Sequence, residues 1–143
     1  MLVRDLVALN YNEFENSKIN LVIEIQKETI PCLVDEKEMK RAINNLIVNA
    51  YMHNQEGATV MVLVAYHGKD VRVTIADNGR VISKEEEQKL FDPFICGNDV
   101  RSSGQGNGLG LTISRLIVEK HGGKLYVNNN ISGYTKGFIV QIH

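Results

Sequence analysis

Apolar positions recur at two distinct periods along this chain. Residues 36–54 carry the clearest helical signal: Met39, Ala42, Ile43, Leu46, Ile47 and Ala50 follow an i, i+3, i+4, i+7 pattern, with Asp35 placed to cap the helix start. Residues 2–16 predict a second helix, with Leu2, Leu6 and Leu9 on one face. KINLVIEI (18–25) alternates and is rich in branched side chains, the mark of a strand. ATVMVLVAY (58–66) and VRVTIA (71–76) predict two strands joined by the turn HGKD. Pro31 and Asp35 bracket a short extended piece, CLV. Ser83 followed by Glu86 forms a capping box opening a short charged helix to about Leu90. A helix over 109–121 ends in Lys120 and His121 and stops at Gly122-Gly123, and KLYVNN and GFIVQIH supply two final strands. Helices interleaved with hairpin strands predict an α/β sandwich: one mixed, mostly antiparallel sheet with helices on one face.

Composition narrows the class of protein. The 143 residues suit one domain, and a net charge of −1 gives no bulk attraction to nucleic acid or to an anionic membrane. Cys32 and Cys96 fall in no metal-ligand spacing and fit a reduced compartment, although one disulfide stays open. The N-terminal stretch is interrupted by Arg4, Asp5 and Glu13, so it is no signal peptide, and no apolar run approaches the ~20 residues that cross a bilayer.

Three stretches carry candidate chemistry. First, Gly104, Gly106, Gly108 and Gly110 stand at alternate positions ahead of a helix, after the long segment FDPFICGNDVRSSGQGNG. Helix N-termini expose unpaired N–H groups and partial positive charge, and glycines let backbone approach an anion. The P-loop and dinucleotide patterns both fail: no Gly-Lys pair is followed by Ser or Thr, and no strand directly precedes the run. A flexible linker is the plainer alternative. Second, Asn45 and Asn49 flank the apolar stripe of their helix. Their amides either satisfy buried backbone groups or offer hard oxygen ligands to Mg²⁺. Third, Asp77-Asn78-Gly79 ends a strand. It is either an ordinary turn or a place where Asp77 accepts from the exocyclic amine of adenine, with Gly79 keeping the wall beside the base thin.

Together NLIVNA, DNG, FDPF and GNGLGL resemble, in order and spacing, the N, G1, F and G2 boxes of the ATP-binding catalytic domain of sensor histidine kinases, over about residues 18–142. The gyrase, mismatch-repair and heat-shock chaperone ATPases share that fold. The resemblance implies a Bergerat-type sandwich, with three main helices on one face of the sheet and a mobile ATP lid over 95–107. It makes Asn49 the Mg²⁺ ligand. Asn45 stands where hydrolysing relatives carry a glutamate; an amide is a poor base, so ATP would persist until a histidine is presented. His53 would pack near the nucleotide, Asp77 would read adenine, and Gly79 would line the pocket. Phe91 and Phe94 would anchor the lid, Arg101 would reach a phosphate, and Gly104, Gly106, Gly108, Leu109 and Gly110 would belong to the phosphate-wrapping run.

The departures from the family pattern are Met52 in place of a common lysine, Val81 in place of the second glycine of D-N-G-x-G, and a displaced Thr135 in TKGF. His67, His121 and His143 lie in no phospho-acceptor context; His121 suits the helix end. The Glu85-Glu86-Glu87 run suits a solvated helix face. The phospho-accepting histidine would lie on a separate dimerisation domain, of whose connection residues 1–17 form the end, while 18–143 form the catalytic domain. Partners are then ATP or ADP, that domain, and a response regulator reached through the full-length kinase, with no nucleic acid and a monomeric fragment. The parent would be anchored in the bacterial inner membrane with this domain in the cytoplasm. The rival reading is a degenerate nucleotide-binding or protein-interaction module of the same fold. An anti-sigma-factor-type serine kinase fits FDPF and the long lid less well.

Overall fold

A computed structural model describes residues 2–26, 34–91 and 108–142. Five strands form one sheet in the order β1-β2-β3-β5-β4: β1 (Asn20–Ile25), β2 (Thr59–His67), β3 (Asp70–Asp77), β4 (Lys124–Asn128) and β5 (Lys136–Ile142). β1 and β2 run parallel and all other neighbours antiparallel. Four helices are described: α1 (Leu2–Asn16), α2 (Glu36–His53), α3 (Lys84–Leu90) and α4 (Gly108–Lys120). The mixed sheet and its helices are the architecture that the sequence pattern predicts.

The core lies between one face of the sheet and α1, α2 and α4. Val60, Val62 and Val64 of β2, Val73 and Ile75 of β3, and Phe138, Val140 and Ile142 of β5 share that face. α2 contributes Met39, Ala42, Ile43, Leu46, Ile47 and Ala50, the six positions its periodicity marks. Its start is fixed by the Asp35 side chain, which accepts from the Glu38 N–H. α3 opens on the predicted capping box of Ser83 and Glu86 and buries none of its residues. The segment CLV lies mostly outside the described residues, as do Phe94, Arg101, Gly104 and Gly106.

α1 corrects one expectation. Leu6 is buried, but Leu9 is 74% exposed. The buried stripe is Val3, Leu6, Val7, Asn10 and Phe14, because at 100° per residue Leu9 lies well off the direction those five share. Asn10 survives in the stripe because its amide donates to Leu6 O and to Asn44 Oδ1, both at 2.8 Å. Phe14 meets Tyr51 of α2 edge-on, with ring centroids 5.3 Å apart.

The end of α4 is a tight corner. Gly122 has φ +80°, and the N–H groups of Gly122 and Gly123 return to Glu119 O and Val118 O. His121 does more than cap: its Nδ1 lies 2.8 Å from Ile117 O, and its Nε2 accepts from the Asp35 N–H at 3.0 Å. It thereby joins the end of α4 to the start of α2. A Cβ on Gly123 would lie 2.3 Å from Gln141 O. Gly123→Ala is therefore expected to lower stability by about 1–3 kcal/mol, read as a shifted urea midpoint; an unchanged midpoint would contradict this packing.

Candidate functional site

α2 presents a polar flank one helical turn at a time. Asn45, Asn49 and His53 are spaced by four residues, beside the buried Leu46 and Ala50. Asn45 and Asn49 are half-buried at the border of the core. The Asn45 amide nitrogen donates to Gly110 O at 3.2 Å, tying the flank to the first turn of α4. No described residue hydrogen-bonds the Asn49 amide. α4 is also held to α2 by the buried Ser114 hydroxyl, which donates to Ala42 O at 2.8 Å.

Gly108, Leu109 and Gly110 open α4, and the Asn45 contact sets this first turn against α2. A Cβ on Gly110 would meet only ordinary van der Waals contact with Asn45. Packing among the described residues therefore does not demand glycine there. Phe91, the predicted anchor just before residues 92–107, is fastened to the same helix. Its carbonyl accepts from the Thr112 hydroxyl at 3.2 Å, and the Arg115 guanidinium lies 4.9 Å from its ring centroid.

The other end of the flank meets the DNG turn. Asp77 closes β3 on the helix-facing side and is buried. Its Oδ1 accepts from the Gly79 N–H at 2.9 Å, so it shapes its own turn. A Cβ on Gly79 would lie 2.2 Å from Asn54 Oδ1, and the Asn54 amide is itself held by Ala50 O at 2.7 Å. Asn54 thus joins the end of α2 to the turn. Thr135, left unassigned from sequence, clamps the same turn: its hydroxyl lies 3.1 Å from Asp77 O and 2.7 Å from Gly79 O.

Asp77 is not a free carboxylate. Lys136 lies directly across the β3–β5 ladder, and its Nζ donates to Asp77 Oδ1 at 2.7 Å and to Arg80 O at 2.5 Å. The two side chains are 10% and 6% exposed. Sequence reasoning placed Asp77 and missed Lys136, although the altered TKGF stretch marked the position. Met52 and Val81, the other departures, are 38% and 57% exposed.

His53 feels this pair. Partial desolvation of its ring lowers its pKa, and the Lys136 ammonium lowers it further. The unfolded chain, with an ordinary imidazole near 6.5, binds the proton more readily. This group's contribution to stability is therefore full above about pH 6.5 and is lost as pH falls through the folded-state pKa. NMR titration of His53 should give a midpoint below that of an ordinary imidazole, and Lys136→Met should raise it. A midpoint unmoved by that change would remove Lys136 as a cause.

Residues 34–143 match the sequence profile of the family described as "Histidine kinase-, DNA gyrase B-, and HSP90-like ATPase". Sensor protein KdpD of Clostridium acetobutylicum is 34% identical over 133 residues, covering 92% of this chain and 15% of that protein. Sensor histidine kinase YvrG of Bacillus subtilis is 31% identical over 104 residues, covering 73% and 18%. The solved catalytic domain of histidine kinase ThkA superposes with a TM-score of 0.85 at 30% identity, covering 99% of this chain and 89% of that one. A second structure holds ThkA in complex with the response regulator protein TrrA, with a TM-score of 0.80 at 26% identity. The chain spans 15% and 18% of the length of KdpD and YvrG.

Proposed function

The chain belongs to the histidine kinase-, DNA gyrase B- and HSP90-like ATPase family, and on that premise we propose that it is the ATP-binding catalytic domain of a two-component sensor histidine kinase. It transfers the γ-phosphate of ATP to a histidine on a dimerisation domain outside this sequence. α1 continues the connection to that domain, and the phosphorylated kinase passes its phosphate to a response regulator. The parent is held at the bacterial inner membrane with this domain in the cytoplasm; no described helix is long and apolar enough to cross a membrane.

One observation carries the reading. α2 touches the glycine-rich start of α4 through Asn45, and its C-cap Asn54 reaches the Asp77 turn, with Asn49 and His53 along the flank that runs from the one to the other. Asn45 and His53 are eight residues apart, about 12 Å along a helix, a span that suits a nucleoside triphosphate laid lengthwise. Phosphates then meet the α4 N-terminus and the base meets Asp77, Gly79 and His53.

The residues fit Mg²⁺: the Asn49 amide is unclaimed by any described residue, and an amide oxygen is a hard donor. When bound, the ion would neutralise phosphate charge during transfer. Asn45 supplies no general base, and its nitrogen is engaged with Gly110 O. What the chain contributes is orientation and charge complementarity.

Calorimetric titration with ATP·Mg²⁺ tests the reading. Saturable binding with almost no steady hydrolysis by the isolated chain is expected, together with phosphoryl transfer to a histidine-bearing helical hairpin supplied in trans. Rapid hydrolysis without an acceptor would contradict it. Absent binding would favour the module that binds partners without catalysis.

A further inference from the structure

The Asp77–Lys136 pair places a cation where the nucleotide reading puts the base. Asp77 ↔ Lys136 is the last register pair of the β3–β5 ladder, continuing Ile75 ↔ Phe138 on the helix-facing side. Both side chains are almost fully enclosed, Lys136 at 10% and Asp77 at 6% exposure. An ammonium has three N–H donors. Among the described residues Lys136 uses two, on Asp77 Oδ1 and Arg80 O. The Lys136 ammonium also lies close enough to His53 to lower that imidazole's pKa.

We infer that Lys136 is a base-reading residue of the nucleotide cleft, whose third N–H donates to the acceptor ring nitrogen next to the exocyclic amine that Asp77 recognises. This rests on the nucleotide-binding reading above. The chemistry is complementary: the amine edge of adenine offers a donor at N6 beside an acceptor at N1, and the pair offers an acceptor, the second Asp77 oxygen, beside a donor. A direct ammonium contact to N1 is charge-assisted and stronger than one between neutral groups. Lys136 thus sets specificity through an atom that a lone carboxylate cannot bind.

Atom-deleted nucleotides test this with the full chain. The probes are ATP, 1-deaza-ATP, which lacks the N1 acceptor, and 7-deaza-ATP, which alters the opposite edge. Wild type should bind 1-deaza-ATP on the order of tenfold or more weaker than ATP, and 7-deaza-ATP within about threefold of ATP. In Lys136→Met the gap between ATP and 1-deaza-ATP should shrink to within about threefold. Lys136→Gln, which keeps an N–H donor for Asp77 without the charge, is the second variant should the first fail to fold, and its gap should also be smaller than that of wild type. Equal binding of ATP and 1-deaza-ATP by wild type overturns the assignment. So does an undiminished gap in a folded variant, which would assign N1 to another donor. In both cases ATP still binds and the nucleotide reading stands. No binding of ATP by wild type overturns both.

Discussion

Asp77→Ala is expected to lower unfolding stability by about 3–5 kcal/mol, a large share of the 5–15 kcal/mol that a typical domain holds. The cost comes from what is left behind. The Lys136 side chain is only 10% exposed and its ammonium sits 2.7 Å from Asp77 Oδ1. Removing the carboxylate strands a charge at the edge of a core made of Ile75, Phe138 and their neighbours. The turn also loosens, because Asp77 Oδ1 no longer receives the Gly79 N–H. Urea unfolding followed by circular dichroism measures the effect. Asp77→Ala combined with Lys136→Met should recover much of the loss, since a buried ion pair replaced by apolar groups is often neutral. A single-variant loss below about 1 kcal/mol would mean the pair is far better solvated than its enclosure implies. For the same reason, lost ATP binding in any Asp77 variant is interpretable only beside a measurement of its fold.

Asn49→Ala should do the opposite: leave the fold nearly intact and remove the chemistry. Asn49 is half-buried on α2, and no described residue hydrogen-bonds its amide. Alanine is moreover the best helix former. Its stability should change by less than about 1 kcal/mol. Phosphoryl transfer to a histidine hairpin in the presence of Mg²⁺ should fall by about 10²–10³-fold, the scale on which single preorganised electrostatic contacts act in catalysis. Transfer at the wild-type rate with unchanged dependence on Mg²⁺ concentration would reassign the metal ligand.

The parts legible in sequence were those whose cause is local. The α2 stripe follows from a 3.6-residue period, the capping box from Ser83 and Glu86 three residues apart, and the α4 stop from Gly122 with its positive φ. The four boxes were legible for another reason: each is short, but their order along the chain is restrictive. What escaped depends on contacts between distant residues. Lys136 meets Asp77 across 59 residues of chain, because β5 pairs with β3 in one register and no other. Asn54 reaches Gly79, and His121 reaches Asp35, through packing that periodicity does not encode. Leu9 was misassigned because three leucines suggested a face, whereas Val7, Asn10 and Phe14 turned it.

The pairing of positions 77 and 136 also constrains how such a cleft can change over generations. Neither residue is free to drift by itself: the first substitution to appear leaves one enclosed charge alone and consumes much of the margin that keeps a domain this small folded. A descendant with a different pair is therefore reached by two nearly simultaneous changes, or through an ancestor already stabilised elsewhere.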